Sequence, residues 1–418
     1  MTHKTTIAAL IGWTTAFGCS GSAPPPQTPA RSTPQSGSSL PAPAAAAPST
    51  PEVDVALPSE DSNPFAHARF AIDPGYVREI ESAVRESPAN ASAWRRAEQY
   101  PTAIWLSSIA SVGTISKTLD DAAAQERKAG EPVVTVFAIY DLPERDCNAV
   151  ASNGELSLAN GGETRYKTEF IDGIATIFRA HAGQRIVAIV EPDSLPNLAT
   201  NLDTPRCAAA ERVYRQSVAY AVKTLAMPNV SLYLDAAHAG WLGWSGNRAK
   251  MAKIVSDVLA LAGGPDKVRG FATNVSNYDT LRGGDLAKLQ PSDPCPDELT
   301  YVKLFAASLA EVGITGKGFV IDTSRNGRSG IRTDSGSWCN VRGAGLGERP
   351  RASPAPYVDA YYWVKPPGES DGASDPSMPG FDEHCGSRSP DSAAGAPHAG
   401  QWFSTYFGDL VKNASPPL

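Results

Sequence analysis

The run Ile186-Val187-Ala188-Ile189-Val190-Glu191-Pro192-Asp193 decides the fold. Its apolar part does not alternate with polar residues, so it reads as a strand buried on both faces, as in a parallel sheet covered on both sides. Pro192 has no backbone donor and a fixed φ, so the strand must stop there. Asp193 is then held at the tip of a rigid strand, where a core opens to solvent and a β/α barrel keeps its chemistry. A plain polar turn after a strand has the same local sequence. What the other strands end in separates the two readings.

Six further runs are strand-like: 103–106, 133–140, 230–234, 268–275, 318–321 and 358–363. Helical spacing covers 116–128, 165–181, 208–226, 247–262 and 297–312, with an earlier helix over 71–87 stopped by Pro88. Strands alternating with helices imply an α/β fold, a parallel sheet with right-handed crossovers. A distorted, closed or nearly closed seven-stranded β/α barrel is the natural shape, and an open doubly wound sheet is the alternative. No glycine-rich phosphate loop follows a strand, so a nucleotide role has no support.

The strand ends carry the functional signal. They present Trp105; Tyr140-Asp141 with Arg145 and Asp146; Glu191 and Asp193; Asp235 with His238, Trp241 and Trp244; Asn274 and Asn277; Asp322; and Trp363 to Lys365 with Glu369 and Asp371. Polar groups are costly at a core boundary, and here they gather on one rim. Carboxylates with tryptophans suit glycan cleavage, which needs an acid for the leaving oxygen and stabilisation of an oxocarbenium-like transition state. Flat indoles match the C–H faces of a β-linked sugar. Trp105, Trp241, Trp244 and Trp338 are candidate platforms, although a lone tryptophan is more often core. In Gly240-Trp241-Leu242-Gly243-Trp244 the glycines suggest a loop that presents both rings. Asp141, Asp146, Asp193, Asp235, Asp322 and Asp371 could equally be helix caps or ion-pair partners, Asp235 being a fair cap candidate. Asp235 and His238 are suitable metal ligands, but no third ligand has telling spacing. No G-x-S-x-G elbow supports a serine hydrolase.

The 418 residues suffice for one large domain or two smaller ones, and the net charge of -7 without a basic stripe argues against nucleic acid. His3 and Lys4 precede an apolar stretch, 7–17, too short to span a bilayer. Ala16-Phe17-Gly18-Cys19 resembles a bacterial lipoprotein processing site. We expect a signal peptide over 1–19 with Cys19 as the lipidation candidate, a disordered Pro/Ala/Ser-rich linker over 20–60, and a catalytic body over 61–418. The protein is thus expected to be secreted or tethered outside the cell, without a separate glucan-binding module. No C-x-x-C pair suggests zinc.

Several of these stretches are similar to signatures of glycoside hydrolase family 6. They are Tyr140-Asp-Leu-Pro-Glu-Arg-Asp146-Cys147 with Ala151-Ser152-Asn153-Gly154-Glu155, Val190-Glu-Pro-Asp193-Ser-Leu, Leu234-Asp235-Ala-Ala-His238-Ala-Gly-Trp241-Leu-Gly-Trp244, Trp338-Cys339-Asn340, and Trp363-Val-Lys365-Pro-Pro-Gly-Glu369-Ser-Asp371-Gly. The resemblance runs from about residue 101 to the C-terminus. It implies an inverting β-1,4-glucanase on a distorted seven-stranded β/α barrel. Asp193 would be the general acid, and Asp146 would help keep it protonated or stabilise the transition state. Two carboxylates sharing a site give that role a physical basis. Ser152 and Asp371 match positions linked to the water nucleophile, with the identity of the base open. Tyr140 resembles the residue that crowds the distorted sugar. Asp235, His238, Trp241, Asn274, Trp338, Lys365 and Glu369 resemble glucan-binding residues, joined by Trp105 and Trp244. The resemblance implies disulfides Cys147–Cys207 and Cys339–Cys385, each tying a loop. Cys295 is left as a free thiol or an intermolecular partner. Segments 151–163 and 372–401 resemble the roofing loops of cellobiohydrolases, which implies release of cellobiose from the non-reducing end of cellulose or cello-oligosaccharides. An endoglucanase with a more open cleft is the alternative, and a silent glycan-binding lipoprotein a third reading. A monomer with no cofactor and no resident metal is expected.

Overall fold

The computed structural model describes residues 55–418. Cys19 and most of the expected linker lie outside the described residues. The folded body includes residues assigned to that linker, because Val55 is buried and its carbonyl accepts the Tyr357 hydroxyl at 3.0 Å.

The strands are β1 (Arg69–Phe70), β2 (Ile104–Leu106), β3 (Val133–Ile139), β4 (Arg185–Val190), β5 (Val230–Asp235), β6 (Gly270–Thr273), β7 (Gly318–Asp322), β8 (Arg351–Ala355) and β9 (Val358–Tyr362). They form one sheet in the order β1-β3-β4-β5-β6-β7-β9-β8, with β2 beside β3. Every pairing is parallel except β8 with β9. The seven strands read from the sequence are present. The short β1 and the antiparallel β8 are additional, since two residues and a proline-interrupted run carry too little apolar pattern.

The sheet curls into a nearly closed barrel. Ala103 N donates to Trp363 O at 3.1 Å, and a single parallel bridge pairs Thr102 with Trp363. β8 pairs with β9 over Arg351 to Val358 and forms the free edge beside this seam. Ile186 to Val190 are each at most 1% exposed. Burying such side chains contributes roughly 1.5–3 kcal/mol each. One set packs inside the barrel with Phe65, Tyr233 and Tyr362. The other packs outward on Ile174, Phe178, Val218 and Val222, from the helices Asp172–Ala180 and Pro205–Leu225. Two-sided burial is thus the reason that β4 shows no alternation.

Candidate active site

The strand ends are tied together by their own carboxylates. Glu191, fully buried after β4, accepts the backbone N–H groups of Asp141 at 3.3 Å and Leu142 at 3.1 Å, and the Tyr166 hydroxyl at 2.8 Å. It thus supports the strand ends through local hydrogen bonds, and burial pushes it up to about 7. Asp235, at the end of β5, accepts Asp193 N at 3.0 Å and Ala237 N at 3.2 Å. It is not the helix cap its position suggested. Asp322 accepts Ser276 N and Lys365 N on one oxygen, at 3.0 and 2.9 Å, and Ser324 N and Val364 N on the other, at 2.9 and 3.2 Å. Asn274 is enclosed, and its amide bridges Asp322 O, Asp279 O and Asp279 N. Asn274 thus helps to hold the rim. Several rim groups are therefore struts, because parallel strands end with unpaired N–H groups that need acceptors.

Asp193 differs from these struts. Its backbone is fixed by Asp235 and by the Asn197 amide, which donates to Asp193 O at 2.6 Å. Its carboxyl makes no hydrogen bond within the described residues. Burial, then the charges of Asp146, Asp235 and Asp371, push it well above the usual carboxylate range. A carboxyl free of hydrogen bonds at a solvent-facing tip, with its pKa raised, has the properties of a general acid. The backbone there is strained. Glu191, Asp193, Ala237, Asn274 and Ser276 all hold positive φ, between 51° and 62°. None is glycine, so a surrounding structure that over-determines the turns must hold them.

Asp146 faces Asp193 from the β3 loop and accepts the Ser152 hydroxyl. Burial raises its pKa, while the Ser152 bond and the Arg145 charge oppose the rise. Arg145 sits over the Tyr140 ring at 4.3 Å and donates to Ser107 O at 2.9 Å and Ser152 O at 2.8 Å. It fixes the loop that carries Asp146. Tyr140 meets Trp105 edge-to-face at 5.2 Å, and Lys365 Nζ lies 5.6 Å over the Trp105 ring. Lys365 also donates to Ser370 O at 3.2 Å and lies 3.7 Å from Glu369, which burial raises to about 7.

On the opposite side, Asp371 receives three donors on one oxygen: Arg325 at 2.7 Å, Asn340 N at 2.8 Å and the Tyr278 hydroxyl at 3.0 Å. Arg325 is fully buried. Arg325, Tyr278 and Asn340 escaped the sequence reading as partners of Asp371, since they lie 46, 93 and 31 positions from it. The one available signal was an arginine three positions beyond Asp322 at a strand end.

The tryptophan cluster departs from the expected loop. Ala239–Leu242 is a helical turn, and Trp244 precedes the helix Ser245–Ala262. Gly243 is required by contact, since a Cβ there would lie 2.2 Å from Asp293 Oδ2. Trp241 is half-buried and donates to Thr200 Oγ1 at 2.8 Å. Trp244 is half-buried as well, and Trp338 packs on the His384 ring at 5.7 Å. His238 Nδ1 lies 2.7 Å from Asp279 Oδ2, and Asn277 Nδ2 lies 2.9 Å from His238 Nε2. His238, Asp279 and Glu298 bring ligand-type atoms within 4.8 Å of one another. Asp279 is already held by Arg332 at 2.6 Å, Gly240 N at 2.8 Å and His238, while Glu298 accepts Ala239 N at 2.6 Å on one oxygen and its other oxygen is buried without a hydrogen-bond partner among the described residues.

Two disulfides are present, Cys147–Cys207 and Cys339–Cys385. Each ties down a loop beside the site. Cys295 is a free, fully buried thiol, pushed up to about 12 by burial, with Sγ 3.3 Å from Gly243 O. It cannot form the intermolecular bond left open by the sequence, because no second chain can reach it.

An unbonded acid, a second carboxyl carrying a serine, and a rim with partly exposed indoles define an acid-assisted hydrolase on a parallel barrel. The chain belongs to glycosyl hydrolases family 6, whose sequence profile matches residues 65–414. It is 39% identical over 359 residues to exoglucanase 3 of Agaricus bisporus, covering 85% of this chain and 80% of that one. It is equally 39% identical, over 358 residues, to an endoglucanase type B of Fusarium oxysporum, covering 85% and 77%. The cellobiohydrolase II structure from Humicola insolens, in complex with glucose and cellotetraose, superposes with a TM-score of 0.81 at 37% identity, covering 85% of this chain and 100% of that one. The chain is therefore a glycoside hydrolase on the distorted barrel of this family.

Proposed function

We propose that this protein hydrolyses β-1,4-glucosidic bonds in cellulose and cello-oligosaccharides with inversion, releasing cellobiose from the non-reducing chain end. The observation that carries the end-acting reading is the meeting of two loops beside Asp146. Val150 N donates to Asp382 Oδ2 at 2.7 Å, and a Cβ at Gly372 would lie 2.6 Å from the Ala151 Cβ. A joined roof favours a chain threaded by its end over one laid in from the side.

In this reading Asp193 protonates the leaving oxygen, and Asp146 supports it. Tyr140 crowds the sugar at the point of cleavage. Ser152 and Asp371 organise the attacking water. Asp371, ion-paired with Arg325, takes the proton through water. Trp105, Trp241, Trp244 and Trp338 give flat contacts, and Asp235, His238, Lys365 and Glu369 complete the glucan contacts. Cellohexaose digestion followed by NMR should give cellobiose that begins as the α anomer. Initial β product contradicts inversion. An endo mode is the second reading, favoured by the Fusarium oxysporum relative. It predicts a steep loss of carboxymethylcellulose viscosity per new reducing end. The same proposal places the enzyme outside the cell, tethered through Cys19. The intact mass of detergent-extracted protein should carry the added lipid, and an unmodified chain in the medium refutes the tether.

A further inference from the structure

The support of Asp371 extends one layer further, into the helix Ser404–Lys412. The three donors to Asp371 all meet on Oδ2, while Oδ1 makes no hydrogen bond among the described residues. One of those donors, the Tyr278 hydroxyl, is itself held. The Tyr406 hydroxyl lies 3.0 Å from it, and Val341 N donates to it at 3.2 Å. Tyr278, Val341 and Tyr406 are each at most 2% exposed, so bulk water does not compete for these bonds. The direction of the chain follows from its end. A carboxylate is the strongest acceptor in reach, so the Tyr278 proton goes to Asp371. The Tyr278 oxygen can then only accept, which makes Tyr406 the donor at the 3.0 Å contact. Tyr406 shares that proton with Val341 O at 3.1 Å, and its ring is fixed by stacking on Phe403 at 5.7 Å. The Arg325 guanidinium lies 4.5 Å over the Tyr278 ring and faces both hydroxyls.

We propose that Tyr406 is a positioning residue for the hydrolysis, acting on Asp371 through the hydroxyl of Tyr278. The proposal rests on the reading above in which Asp371 organises the attacking water. Tyr406 itself touches neither sugar nor water. Its hydrogen bond occupies the Tyr278 oxygen, so that the Tyr278 proton stays on Oδ2. The same bond strengthens the next one, because hydrogen bonds in a buried chain polarise one another. Oδ2 is thereby locked, and Oδ1 stays free for the water. Without the Tyr406 hydroxyl, Tyr278 holds Oδ2 less firmly and the partner of the water loses alignment. A loss of alignment costs rate and leaves glucan binding intact.

The test is kcat and KM on cellotetraose for Tyr406→Phe, Tyr278→Phe and the double variant, with urea unfolding alongside. Loss of one buried hydrogen bond should lower kcat roughly three- to tenfold in Tyr406→Phe, with KM unchanged. Tyr278→Phe should lose more. The double variant should fall no lower than Tyr278→Phe, because the hydroxyl through which Tyr406 acts is already gone. Losses that multiply in the double variant overturn the route through Tyr278, and a parent-like kcat in Tyr406→Phe overturns the proposal outright. Val411→Ala loosens the same helix without removing a hydroxyl, and it should lower stability alone. A kcat loss there as large as that of Tyr406→Phe reduces Tyr406 to packing and overturns its positioning role. Tyr406→Met, which also lacks the hydroxyl, takes the place of Tyr406→Phe if the latter does not fold. Parent-like kcat in Asp371→Asn defeats the reading of Asp371 itself, whereas a low kcat there beside a parent-like Tyr406→Phe defeats the role of Tyr406 alone.

Discussion

Asp193→Asn is expected to lower kcat on cellotetraose by about 10²–10⁴-fold, the range for loss of a positioned general acid. The amide matches the carboxyl in size, so the backbone bonds to Asp235 and Asn197 remain. The loss should depend on the leaving group. Cellobiosyl fluoride, whose leaving group needs little protonation, should be turned over by the variant far better than cellotetraose. The pH profile carries a second signature. As the proposed acid Asp193 would act in its protonated form, and burial with three neighbouring carboxylates raises its pKa. Activity of the parent should therefore fall as pH rises through that raised value, and the asparagine variant should lack this alkaline limb. Parent-like turnover of cellotetraose by the variant removes Asp193 from the role.

Arg325→Leu is expected to destabilise the protein by about 3–5 kcal/mol, because it strands the buried carboxylate of Asp371 without its counter-charge. Urea unfolding measures this directly. The double variant Arg325→Leu with Asp371→Asn should recover much of the loss, since neither charge is then left uncompensated. Destabilisation of the double variant equal to the sum of the two single ones means that packing, and not charge pairing, is the cause. Activity should be low in all three, as Asp371 is placed by Arg325, Tyr278 and Asn340 together.

The parallel core was legible because two-sided burial leaves unbroken apolar runs, as in β3 and β4. β8 was not, since Pro354 and the bulge between Ala352 and Ala355 break its pattern. Asp193 could be found because it ends such a run. Strand-end position alone could not say which rim carboxylates are reagents. Glu191 and Asp322 occupy similar positions and are spent on backbone N–H groups through both oxygens, and Asp235 is so engaged through one, while Asp193 is left unbonded. That difference is set by distant partners, as are the Asp371–Arg325 pair and the Asp382–Val150 bond. The glycines around Trp241 suggested a loop that presents the rings, whereas Ala239–Leu242 is a helical turn. Gly243 exists to let Asp293 approach.

The seam of the barrel has a bearing on how the enzyme behaves in a crowd. A sheet that does not close as a continuous ring keeps free edges, and a free edge can recruit strands from other copies. One of them here is β8, whose Pro354 lacks a donor and whose Ser353 holds φ at 48°. Arg351 adds an exposed charge at its start. Each feature spoils the flat, repeating ladder that a second molecule would need. The incomplete barrel is thus protected at this edge, and concentrated copies are kept from pairing through it into extended sheets.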